Sequence, residues 1–200
     1  MPDLNYTDHG AGSPIVLLHG FCETLNVWSG ISDGLSDEYR ILTPDLPGFG
    51  KSPLHRTTFT LEDIADDLSL WLGDLGIDRS IVIGHSLGGY IALAMARQYP
   101  GQLAGFGLFN SSAYPDSAAK KANRDKLIDF IRREGVHPFV KTFIPSLFYE
   151  PRAQEFTELI NRLREEAAMT PPESVIGYAA AMKDRPDRSE LLKENSDKVL

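Results

Sequence analysis

The chain has 200 residues, of which 42% are hydrophobic, 24% charged and 10% aromatic, a balance that suits one globular domain, or one carrying an insertion, with a sizeable core. Its 28 acidic and 20 basic residues give a formal net charge of −8, which excludes the clustered Lys and Arg surface of a nucleic-acid binder. A single cysteine, Cys22, excludes an internal disulfide and a cysteine metal cluster, and fits a reducing, cytoplasmic setting.

The opening "MPDLNYTDHG" lacks the basic and apolar regions of a secretory leader, and runs such as "IVLL" fall far short of a bilayer span, so no membrane association is expected. Residues 14–20 ("PIVLLHG"), 39–45 ("YRILTPD") and 80–86 ("SIVIGHS") are short β-branched runs ended by turn residues, as buried parallel strands are. Residues 103–111 ("LAGFGLFNS") read as a fourth strand, weakened by its glycines. Between the second and third strands, Thr60 and Asp63 fit a capping box. Leu61, Ile64, Leu68, Trp71, Leu72 and Leu75 then recur at helical spacing, and Gly76 is placed to stop the helix. Another helix follows Ser86 and ends before Pro100. Strands alternating with crossover helices predict an α/β fold, doubly wound on a mostly parallel sheet. From residue 113 to 193 four helix-like segments follow one another, with prolines 138, 145, 151, 171 and 172 at the breaks, which predicts an all-helical cap.

Three loops at strand ends carry the chemistry. "GHSLGG" (84–89) places G-x-S-x-G between a strand and a helix, where the sharp turn pushes the Ser86 hydroxyl into the open and the glycines let strand and helix approach. The start of the following helix adds unpaired N–H groups where an oxyanion would form. Acyl transfer needs two such donors: Leu87 supplies one and Phe21, in "LLHGFCE", the other, with Cys22 as the alternative if that loop is offset by one residue. "DLPGFGKS" (45–52) ends like a phosphate-binding loop, but Asp45 stands where that loop requires glycine, and its carboxylate would repel phosphate.

Together, "VLLHGF", Trp28, "DLPGFGKS", "GHSLGGY" and the "ARQYP" ending at Pro100 resemble the α/β-hydrolase superfamily, in its small cytoplasmic branch with a helical cap. The resemblance covers residues 14 to 112, in the family's order. It implies that 1–112 form the N-terminal part of the hydrolase core, 113–193 the cap, and 194–200 the start of the next core strand. It also implies a carboxylesterase-like mechanism in which Ser86 attacks the carbonyl of a small apolar ester, lactone or thioester, Phe21 and Leu87 hold the oxyanion, and water releases the acyl-enzyme. No metal or organic cofactor is implied, and the partner is a small-molecule substrate. Serine at the elbow argues against the dehalogenase and epoxide-hydrolase branches, which use aspartate there. Trp28, Tyr114, Phe139, Phe143, Leu147 and Phe148 are candidate pocket walls, at spacings that serve core packing equally well.

The family order is nucleophile, acid, histidine. Of the five histidines only His137 follows Ser86, and its place before Pro138 suits a helix start better than a catalytic base. Asp116, Asp184 and Asp187 are the candidate acids, each with a solvated loop or cap role as the plainer reading. The chain therefore reads as an incomplete portion of a capped hydrolase, with the last strands of the sheet missing. The rivals are a truncated or non-catalytic ligand-binding or signalling member of the fold, and a perhydrolase or C–C hydrolase using the same serine.

Overall fold

A computed structural model describes residues 3–200. Strands β1 (Tyr6–His9), β2 (Pro14–Leu18), β3 (Arg40–Pro44), β4 (Ser80–His85) and β5 (Leu103–Phe109) form one sheet in the order β1-β3-β2-β4-β5. All neighbours are parallel except β1, which runs antiparallel along β3 with Tyr6 opposite Pro44. Side chains alternate between the two faces. Val16, Leu18, Leu42 and Val82 enter the main core, whereas Ile15, Leu17 and Ile41 enter a smaller one on the opposite face. Burial on both sides is why β2 and β3 are nearly continuous apolar runs.

β1 was not legible as a strand. Its "YTDH" is short, polar and largely exposed, and it is held by pairing to β3 rather than by a buried face. Val199 adds a parallel bridge to Phe106 on the outer side of β5, where the Phe106 N–H donates to the Lys198 carbonyl (2.8 Å). Gly105 and Gly107 lie against that segment: a Cβ at Gly105 would stand 3.1 Å from the Lys198 carbonyl oxygen.

Helices α1 (Ser29–Leu35), α2 (Leu61–Asp74) and α3 (Leu87–Gln98) connect the strands. The α2 N-terminus carries the capping box in full: the Asp63 N–H donates to Thr60 Oγ1 (3.1 Å) and the Thr60 N–H donates to Asp63 Oδ2 (2.7 Å). At its other end Gly76 adopts φ +68, the left-handed geometry that ends a helix. α2 and α3 cover the main core, while α1 and the 3₁₀ turn Leu25–Trp28 cover the second face.

Helices α4 (Ala118–Glu134), α5 (Val136–Ser146), α6 (Thr157–Ala168), α7 (Pro172–Asp184) and α8 (Ser189–Glu194) follow β5. Two of the prolines read as breaks lie inside α5: Pro138 in its first turn and Pro145 in its last. α7 fastens the helical block to the segment between β3 and α2. Tyr178 is fully buried, packs at a tilt against Phe49 (4.7 Å) and edge-on against Phe59 (4.8 Å), and donates its hydroxyl to the Pro47 carbonyl (3.0 Å). Gly48 and Gly177 permit this approach, since a Cβ at the first would overlap Ser174 and one at the second would overlap the Phe59 ring. Among the described residues, no helix is long and apolar enough to cross a membrane.

Candidate active site

Ser86 follows β4 directly and caps α3 with φ 49 and ψ −110, a sparsely populated conformation for a residue with a side chain. Such a residue costs about 1–3 kcal/mol and persists only where its surroundings enforce it. Here both of its backbone groups are held from the end of β5 and the segment just after it: the Ser86 N–H donates to the Phe109 carbonyl (3.0 Å), and Ser111 Oγ donates to the Ser86 carbonyl (2.7 Å). The neighbouring glycines are sterically required. A Cβ at Gly84 would overlap the Gly88 carbonyl, one at Gly88 the Leu18 carbonyl, and one at Gly89 the Ser111 hydroxyl.

The loop after β2 is fixed as firmly. His19 is fully buried, and its Nε2 accepts the Leu46 N–H (2.9 Å), so the neutral ring carries its proton on Nδ1 and donates it to the Gly20 carbonyl (2.8 Å). Burial lowers its pKa below the ordinary 6.5, against the opposing pull of the Gly20 hydrogen bond and the Glu23 and Asp45 charges. Glu23 Oε2 accepts both the Gly20 N–H (2.6 Å) and His85 Nδ1–H (2.9 Å), tying this loop to the elbow strand. The Phe21 and Leu87 N–H groups donate to no other group among the described residues. Cys22 has φ 59, and burial, with the Glu23 charge adding to it, pushes its thiol far up, so it stays protonated and inert.

Asp45 organises the third loop. Its carboxylate accepts the Leu25 N–H (2.8 Å), the Lys51 N–H (2.9 Å) and Asn5 Nδ2–H (2.7 Å). The N–H groups that a phosphate would need are thus taken by an internal carboxylate.

Two cavities meet at Ser86 and share Phe21, Phe143 and Leu147. One, of about 430 Å³, extends toward Tyr90, Phe139 and Met182 and is walled on one side by α4. The other, of about 440 Å³, extends toward Glu23, His85, Asn110, Phe148 and Leu163. Of the six side chains proposed as walls, Phe139, Phe143, Leu147 and Phe148 line these cavities. Phe139 and Phe143 are stacked at 4.8 Å, one helical turn apart on α5.

Trp28 and Tyr114 do not line them, which corrects the sequence reading. The turn bearing Trp28 carries the chain to the far face of the sheet, where the indole is 3% exposed among Ile15, Leu17 and Ile41 and lies 5.9 Å from Phe109. Tyr114 turns its carbonyl inward to accept from Arg185 (3.0 Å), leaving its ring 66% exposed.

Asp116 is corrected as well: it is buried, not solvated. Arg185 Nη1 donates to one carboxylate oxygen (2.8 Å) and Arg124 Nε to the other (3.1 Å). Burial works against its charge, but the hydrogen bonds from Arg185 and Arg124 hold its carboxyl below the usual carboxylate range. Arg185 also lies 3.9 Å over the Tyr90 ring. Asp184 and Asp187 are exposed, and Asp187 caps the Ser189 N–H (2.8 Å).

None of the five histidines bonds to the Ser86 hydroxyl. His19 and His85 are committed as above, while His9, His55 and His137 are exposed, His137 on an outer groove between α5 and α6. Glu23, Tyr90, Asn110 and Arg185 were missed in the sequence. Only Asn110, directly after a strand and able to adopt a positive φ (here 47), had a local signal.

A family model for the alpha/beta hydrolase fold matches residues 13–129. A soluble epoxide hydrolase from Corynebacterium sp. (strain C12) is 34% identical over 93 residues, 46% of this chain and 32% of that protein. The chain spans between 27% and 41% of the length of the curated relatives it matches. Among solved structures, a thermophilic esterase from Thermogutta terrifontis, with malate bound, is 38% identical with a TM-score of 0.90, over 96% of this chain and 71% of that one. An enol-lactonase from Burkholderia xenovorans LB400 shares the fold at 23% identity and a TM-score of 0.85, over 92% of this chain and 71% of that one. The family model spans β2 to β5, the loops after β2 and β3 and the elbow, and the esterase superposes on the helical block too, so the chain belongs to the α/β-hydrolase fold family.

Proposed function

We propose that the whole protein is a serine hydrolase of carboxylesterase type, cleaving a small, largely apolar ester, lactone or thioester through an acyl-enzyme on Ser86. The observation that carries this reading is a serine held at φ 49 at the junction of two cavities, beside N–H groups of Phe21 and Leu87 that have no other acceptor. Ser86 Oγ attacks the carbonyl carbon, and the developing oxyanion is stabilised by those two N–H groups and the N-terminal end of α3. Collapse expels the alcohol or thiol and leaves an acyl ester on Ser86, which water hydrolyses. The proton on Oγ must go to a base, which none of the five histidines provides in this arrangement, so the proposal concerns the whole protein's activity. Phe139, Phe143, Leu147 and Phe148 supply the apolar walls, Phe21 and Leu87 the oxyanion contacts, and no metal or organic cofactor takes part.

The test is turnover of p-nitrophenyl butyrate by the whole protein and its Ser86→Ala variant. The expected loss of kcat is about 10³-fold or more, the scale on which triad nucleophiles are missed. Full turnover in Ser86→Ala would end the assignment.

A further inference from the structure

Resting on the reading of Ser86 as an acyl-transfer nucleophile, we infer that the substrate carries a carboxylate on one arm, received by Arg124 and Lys120 on α4. The two cavities that meet at Ser86 differ in charge. The one toward Phe148 has Glu23 in its wall, already hydrogen-bonded to Gly20 and His85. The other is walled by Lys120, Asn123, Arg124 and Leu127, residues spaced i, i+3, i+4 and i+7 on one face of α4.

Positive charge is in excess on that wall. Asp116 is shared between Arg124 and Arg185, so one carboxylate stands against two guanidinium groups and the Lys120 ammonium. Arg185 is occupied: it gives Nη1 to Asp116 and the Met182 carbonyl and Nη2 to the Tyr114 carbonyl, and it covers Tyr90. Arg124 spends only Nε on Asp116, and its two Nη groups have no partner among the described residues. Its side chain is 22% exposed, toward the cavity that Ser86 also lines. Lys120 forms no ion pair among the described residues.

Asp116 thus fixes the Arg124 fork while leaving the face that suits a carboxylate open to the cavity. Elsewhere the molecule is acidic, with a net charge of −8, so its overall field disfavours an anionic substrate. This wall reverses that sign beside the nucleophile. The apolar side chains across the cavity, Phe139, Phe143 and Leu147, suit the methylene chain between ester and carboxylate. The substrate class is therefore an ester, thioester or lactone that bears a free carboxylate on its acyl or its alcohol side.

The test compares kcat/KM of the whole protein for two matched pairs: 4-nitrophenyl hydrogen adipate against its methyl ester, and 6-(butyryloxy)hexanoate against its methyl ester. The pairs place the carboxylate on the acyl and on the alcohol side respectively. In one pair the acid form is favoured by about tenfold or more, the scale of a charge-assisted hydrogen bond. Arg124→Gln collapses that ratio toward one, Lys120→Gln lowers it less, and Lys121→Gln, on the same helix but outside the cavity wall, keeps it. The ratio is independent of how much enzyme is folded, because both esters report on the same active molecules. Neutral esters turned over through Ser86 with no acid preference in either pair, or a preference that survives Arg124→Gln, would overturn the carboxylate subsite alone. Turnover that survives Ser86→Ala would instead overturn the reading beneath it.

Discussion

His19 joins the loop after β2 to the loop after β3 by accepting from Leu46 and donating to Gly20, and it does both only as a neutral ring. Its folded pKa lies below the ordinary 6.5, so the unfolded chain binds more protons at pH values between the folded and unfolded values. Stability is therefore full above about pH 6.5 and falls as the pH drops from there toward the folded value. Asp116, also held down, acts in a more acidic window: its contribution is in place above the ordinary 3.8 and is lost as the pH falls through its folded value. Urea unfolding at pH 7 and pH 5 should show His19→Gln less stable at pH 7 by about 1–3 kcal/mol, the cost of unmade buried hydrogen bonds. The variant should also lose less than the wild type between the two pH values. Equal pH dependence in both proteins would remove His19 as the titrating group. The loop after β2 drew its expected role from "HGF" only in combination with the elbow, whereas the clamp was not legible at all, because Leu46 lies 27 residues away and meets His19 only once β2 and β3 pair.

α7 docks through Tyr178 and Gly177 on adjacent positions, one filling the space between Phe49 and Phe59 and the other making room for the Phe59 ring. Gly177→Ala should lower stability by about 1–3 kcal/mol, the usual penalty for overpacking, because Phe59 is itself wedged against Tyr178. Urea unfolding measures it, and an alanine variant as stable as the wild type would show that the ring yields without cost. The helix itself was readable as a helix-like segment opened by prolines 171 and 172, and α2 from its periodicity and a capping box encoded within four residues. What α7 touches was not readable, since its contact at Pro47 lies 131 residues away. α1 went unread for a different reason: "SGISDGL" holds two glycines and little helical periodicity, and it is kept helical by packing of its neighbours on the second face.

Across the molecule, the elbow, the Phe21 loop and the Asp45 loop lie at the ends of three neighbouring strands, β4, β2 and β3, and each is encoded in fewer than ten consecutive residues. That is why these three loops could be located before their geometry was known. The walls could not be read so directly, because they come from helices assembled over the strand ends. The turn after β2 sent Trp28 to the far face, and Asp116 is buried where Arg124 from α4 and Arg185 at the end of α7 converge on it. The central claim is that Ser86 is a nucleophile prepared for attack, and covalent labelling of the whole protein with a fluorophosphonate, read by peptide mass, tests it most directly. The account predicts a single adduct on the peptide containing Ser86, absent from Ser86→Ala. A folded protein that binds small esters saturably yet stays unlabelled, or one labelled equally in Ser86→Ala, would contradict it and leave the site a binding pocket.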